Sequence, residues 1–90
     1  MIVSVMGLGF VGGSMKKSFE LKGCEVKGYD KFKDEFKNNF NDCLNSDVTF
    51  LALPTVFDEE KNEYDKSCIQ EVCADLMSAN YEGIVVIKST

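Results

Sequence analysis

Gly7, Gly9 and Gly12 stand between the apolar run Ile2-Val3-Ser4-Val5-Met6 and a segment of helical periodicity, and no other feature of the 90 residues constrains the fold as much. A short β-rich run of this kind reads as a strand. Gly7 then permits a sharp turn at the strand's carboxyl end. Gly9 carries no Cβ, so backbone amides can approach a ligand, and Gly12 lets the following helix lie close to the sheet. The free N–H groups and the positive dipole end of that helix form a seat for phosphate. One glycine would suffice for a turn alone. Three at this spacing, with Asp30 closing the next apolar run, make the dinucleotide-binding fingerprint in its full strand–turn–helix context. The expected contacts to a pyrophosphate-bridged nucleotide are Gly7, Leu8, Gly9, Phe10, Val11 and Gly12, with Gly13 and Ser14 keeping the first helical turn small.

Asp30 is placed to accept hydrogen bonds from an adenosine ribose, and its charge would repel a 2′-phosphate, which favours NAD over NADP. The same residue suits the N-cap of a following helix, and the two roles are compatible. Lys31 and Lys33 flank it and pull toward tolerance of a 2′-phosphate. Lys31 is included among the expected cofactor contacts.

Beyond the glycine turn, Val11, Met15, Ser18 and Phe19 recur at helical spacing, with Lys16, Lys17 and Glu20 facing away and Gly23 as a left-handed stop. Glu25 to Tyr29 reads as a second strand. Phe32, Phe36 and Phe40 predict a short second helix that frays near Asn38 and Asn39, followed by a loop with Cys43 and Leu44 turned inward. The apolar run 48–53 predicts a parallel strand buried on both faces and ended by Pro54. Thr55 to Glu63 reads as an acidic surface loop. Ser67 and Gln70 suggest a capping box for a third helix, whose stripe is Ile69, Val72, Cys73, Leu76 and Met77. Asn80 to Gly83 turns the chain into a last strand, 84–87. Both the Phe stripe and the third-helix stripe read as core.

Strands and helices alternate throughout, which predicts an α/β doubly wound parallel sheet of Rossmann-like form. It should have four strands ordered 2-1-3-4 with helices on both faces, and residues 1–90 should form one domain. The glycine turn then lies at the switch point between the first and third strands, where ligands bind. The strand ends Pro54-Thr55 and Ser89-Thr90 fall on the same rim, as cofactor contacts or as plain turn residues.

A formal net charge of −5 argues against nucleic acid or an anionic membrane surface as partner. It does not exclude an anionic cofactor held by backbone amides. The chain has no histidine, and Cys24, Cys43, Cys68 and Cys73 form no C-x-x-C pair, so neither a metal site nor a disulfide framework is expected. Small buried thiols of a reducing cytoplasm are the simpler reading. Met1 leads straight into the first strand, which implies no signal peptide. The apolar runs are far shorter than the ~20 residues needed to span a bilayer.

Taken together, "VSVMGLGFVG", "GYD", "DVTFLALPT", "YDKS" and "IVVIKST" resemble the N-terminal NAD-binding domain of the UDP-glucose/GDP-mannose dehydrogenase family over nearly the whole chain. The resemblance implies NAD as cofactor, with Asp30 on the adenosine ribose, Thr55 on the cofactor and Thr90 near the nicotinamide. It also implies a parent enzyme that oxidises a nucleotide sugar's C6 alcohol to a carboxylate in two hydride transfers. In that family the catalytic cysteine, its lysine and aspartate helpers and the sugar-binding domain lie downstream of "KST". The 90-residue chain is therefore expected, as a truncated form, to bind NAD without catalysis, and to meet a nucleotide sugar only together with a C-terminal part. None of the four cysteines sits in a matching motif. Segment 31–47 is shorter than the family's, and Gly13-Ser14 stands where leucine and proline often follow the third glycine.

Two other readings share these residues. One is the NAD-binding domain of a 6-phosphogluconate- or prephenate-type dehydrogenase, which has a similar third strand but usually lacks "KST". The other is a non-catalytic Rossmann-like binding or assembly module. Homodimerisation through apolar surface at the sheet edge is compatible with either.

Overall fold

The computed structural model describes the backbone of residues 1–53, 56–65 and 67–88, and the side chains of these except 56–58 and 64–65. Its elements are β1 (Ile2–Met6), α1 (Phe10–Leu21), β2 (Glu25–Tyr29), α2 (Phe40–Cys43), β3 (Val48–Leu51), β4 (Val56–Asp58), β5 (Glu63–Asp65), α3 (Ser67–Ser78) and β6 (Ile84–Ile87). Four strands form one sheet in the order β2-β1-β3-β6. All its pairings are parallel, with Val5 opposite Gly28 on one side and Phe50 on the other. With β6 as the fourth strand of this sheet, this is the expected 2-1-3-4 order.

Register assigns the two faces, because successive side chains of a strand point to opposite sides. Ser4, Met6, Thr49 and Leu51 share one face and are fully buried. Met6 and Leu51 meet Cys43 of α2 and Ile69, Val72 and Leu76 of α3 in a single apolar cluster. Val3 and Val5 lie on the other face beside buried Leu8, and α1 is seated there through Phe19, whose ring stacks on Phe50 at 5.2 Å. Helices thus cover both faces. At the amino end of the sheet the buried hydroxyls are satisfied together. Thr49 donates to Tyr81 at 2.9 Å, Ser46 to the Cys43 carbonyl at 2.6 Å and Ser4 to that carbonyl at 3.2 Å.

Several expectations need correction. The phenylalanine-rich helix over 32–40 is absent. Turns occupy the segment, with Phe36 N–H bonded to the Lys33 carbonyl and Asn39 N–H to that of Phe36. Its three rings go to three places. Phe32 is exposed, Phe36 lies under the Lys16 ammonium, and Phe40 meets Tyr29 edge-on. The Asn39 amide donates to the Gly28 carbonyl at 3.2 Å, tying the segment to the sheet where a helix would have separated them. The helix starts only at Phe40, although Cys43 and Leu44 do turn inward.

The acidic loop 55–63 contains strand β4, which pairs antiparallel with β5 around a turn where Asn62 takes a φ of 55°. On α1, Val11 and Ser18 are exposed, while Lys16 is half-buried against Gly28 and does not face away. On α3, Met77 leaves the stripe and is exposed, and Ser67 is the first helical residue, not the cap. On β3, Val48 and Phe50 are only half-buried. Gly23, with a φ of 86°, stops α1 as expected.

Candidate functional site

A cleft of about 570 Å³ opens at the carboxyl ends of the strands, within the range usual for small-molecule sites. The glycine turn forms its floor. Gly7 has a φ of 91°, and a Cβ there would stand 2.6 Å from the Ala52 carbonyl oxygen, so the turn passes directly against the end of β3. A Cβ on Gly12 would collide with the Gly7 carbonyl oxygen, because the first turn of α1 lies on the loop that precedes it. Gly9 differs from both: a Cβ there would meet nothing within 4 Å, and the position faces open space.

Gly9 is also the N-cap of α1 and supplies no side chain to the helix end, whose first turn contains no acidic residue. The leading N–H groups of a helix have no intrahelical acceptor. Here they stand uncapped at the floor of the cleft with the positive end of the dipole behind them.

Asp30 closes the turn from the side. Its Oδ2 accepts the Leu8 N–H at 2.8 Å, and its Oδ1 accepts the Phe32 N–H at 2.9 Å. The carboxylate therefore fixes the glycine loop to the end of β2 and shapes the turn after it as an Asx turn, in place of the expected helix cap. A carboxylate oxygen has a second lone pair, so both oxygens can still accept hydroxyl groups.

Of the residues singled out from sequence, Gly7, Gly9, Phe10, Val11, Asp30 and Lys31 line the cleft. Leu8 and Gly12 do not. Leu8 is buried and contributes its N–H to Asp30, while Gly12 is buried beneath the turn. Thr55 and Thr90 lie outside the described residues.

Tyr29, Phe32, Ala52, Leu53, Cys68 and Val72 also line the cleft, and the dinucleotide fingerprint does not mark them. Ala52, Leu53 and Lys88 follow β3 and β6, and the rule that ligands sit at the carboxyl ends of parallel strands would have found them. Phe32 and Val72 fall on stripes that read as core in the sequence. Phe32 is 77% exposed on the cleft's rim, and Val72 belongs both to the core and to the wall. Burial raises the pKa of the Tyr29 hydroxyl. Lys31 opposes the shift, and Asp75, Glu71 and Asp30 add to it.

All four cysteines are free, Cys43 buried and the others half-buried. Among the described residues no group of three or more His, Cys, Asp or Glu side chains is placed to hold a metal ion, and no helix is long and apolar enough to cross a membrane.

No family model matches the chain. Among solved structures it is similar to the native UDP-N-acetyl-mannosamine dehydrogenase Cap5O of Staphylococcus aureus, with a TM-score of 0.74 and 19% sequence identity over the whole of this chain. The chain spans 29% of the length of that protein. At this identity the likeness shows the fold, a Rossmann-like parallel α/β domain.

Proposed function

We propose that this chain is an NAD-binding domain and that it serves a nucleotide-sugar 6-dehydrogenase. The observation that carries the reading is the open, uncapped start of α1 at Gly9 beside the Asp30 carboxylate, both bordering one cleft. An anionic pyrophosphate fits the first, and ribose hydroxyls fit the second. The Rossmann-like fold, shared with a UDP-sugar dehydrogenase, supports the placement, and the "LPT" and "KST" sequence motifs support the narrower family.

Gly9, Phe10 and Val11 would present backbone N–H groups to the phosphates. Asp30 would orient the adenosine ribose while holding the Leu8 amide. Ala52, Leu53 and Val72 would exclude water from one wall of the cleft. Bound NAD would supply the hydride acceptor for the oxidation of a sugar alcohol. Cytoplasmic location and the need for a C-terminal part to meet the sugar nucleotide belong to the same proposal.

Calorimetric titration of the 90-residue chain with NAD and with NADP tests it. The reading expects saturable NAD binding, weaker NADP binding, and in Asp30→Ala weakened NAD binding with loss of the preference for NAD over NADP. Absence of binding to a chain shown folded by circular dichroism would overturn it.

A further inference from the structure

Lys31 directly follows Asp30, and both line the cleft, to which Lys31 brings an ammonium. That ammonium is already engaged. Its Nζ lies 3.3 Å from Oε2 and 3.5 Å from Oε1 of Glu71 on α3, and 5.1 Å from the centre of the Phe32 ring. The pair joins the end of β2 to α3 across 40 positions of sequence. Both side chains are about half exposed, at 42% and 58%, and an exposed ion pair adds little to stability. Its consequence lies in where it leaves the charge. Asp75, Glu71 and Asp30 all act on the Tyr29 hydroxyl at the cleft wall, against the single ammonium of Lys31.

We propose that Glu71 makes the cleft select an unphosphorylated adenosine ribose, by holding the Lys31 ammonium on α3 and adding its own negative charge to that of Asp30. The inference rests on the dinucleotide reading and deepens it. A 2′-phosphate would carry its charge into the space beside Asp30. It would meet the Asp30 carboxylate there, and Lys31 would have to leave Glu71 and the Phe32 ring to neutralise it. Lys33 also borders the cleft and forms no salt bridge among the described residues. Lys88 borders it as well, so the Glu71 charge that holds Lys31 is one of few that oppose a 2′-phosphate, and its removal should shift the preference.

The test compares NAD and NADP binding by calorimetry in the full 90-residue chain and three variants. Glu71→Gln should raise affinity for NADP relative to NAD roughly three- to tenfold, an effect that shrinks at high salt. Adding Lys31→Ala to that variant should remove most of the gain. Glu82→Gln makes the same charge change on an exposed residue before β6, at the opposite end of the sheet, and should leave the ratio unchanged. An unaltered ratio in Glu71→Gln, with the wild-type chain binding NAD, overturns the role of Glu71 and leaves the dinucleotide reading standing. An equal shift in Glu82→Gln also overturns it, because net charge would then explain the change. A folded wild-type chain that binds neither nucleotide overturns both.

Discussion

Gly9 and Gly12 are three positions apart in one fingerprint, yet the structure gives them opposite burdens. Gly12 is a packing residue, since any Cβ there meets the Gly7 carbonyl oxygen. Gly12→Ala should therefore cost about 2–3 kcal/mol of stability, or prevent folding, in urea denaturation. Gly9 is unconstrained by neighbours. Gly9→Ala should cost no more than about 1 kcal/mol, as a poorer N-cap. It should nonetheless weaken NAD binding roughly tenfold, ~1.4 kcal/mol, because the methyl would stand where phosphate approaches. A Gly9→Ala chain that binds as well as wild type would remove the glycine turn from the site. The close packing at Gly12 was legible because it follows from the spacing alone. The contribution of Asp30 was only half legible. Its place at the end of β2 beside the glycine turn follows from the motif, but its bonds to the Leu8 and Phe32 amides depend on how β2 and the loop meet in space.

At the level of elements, the strands of the parallel sheet were readable as apolar runs bounded by turn residues, and α3 as a stripe at helical spacing. The segment after Asp30 was not. Phe32, Phe36 and Phe40 recur every four residues, but periodicity assumes a common surface for them to face. Here Lys16, Tyr29 and the open cleft each take a different ring. The β4–β5 hairpin escaped because an acidic run reads as solvated whether or not its backbone is paired, and the cue that remained was Asn62, a residue tolerant of positive φ.

The short α2 gives a prediction of its own. Cys43 is fully buried against the sheet, and burial pushes its thiol above the ordinary 9.0, partly offset by the Ser4 hydroxyl. The folded chain thus keeps the proton to higher pH than the unfolded chain does. The contribution is complete below the unfolded thiol's pKa and is lost as pH climbs from about 9 through the raised value. Thermal unfolding followed between pH 8 and 10 should show stability falling with pH, and Cys43→Ala should flatten that fall whatever its effect on the absolute midpoint. An equally steep fall in the variant would rule out the thiol as its source.

For the whole molecule, topology does what no single motif does. A parallel sheet ordered β2-β1-β3-β6 brings the ends of β1, β2, β3 and β6 to one rim, so residues as distant as Gly9, Asp30, Leu53 and Lys88 border the same cleft. The satisfied hydroxyls of Ser4, Ser46, Thr49 and Tyr81 are gathered at the other end of the sheet. On the dinucleotide reading, backbone amides at the start of α1 hold the pyrophosphate of NAD. The most direct test of that reading is a titration of the isotopically labelled chain with NAD, followed through backbone amide resonances. The amides of Gly9, Phe10 and Val11 should move together and saturably, with that of Leu8 following through Asp30. Saturable shifts centred elsewhere, with these amides still, would contradict it.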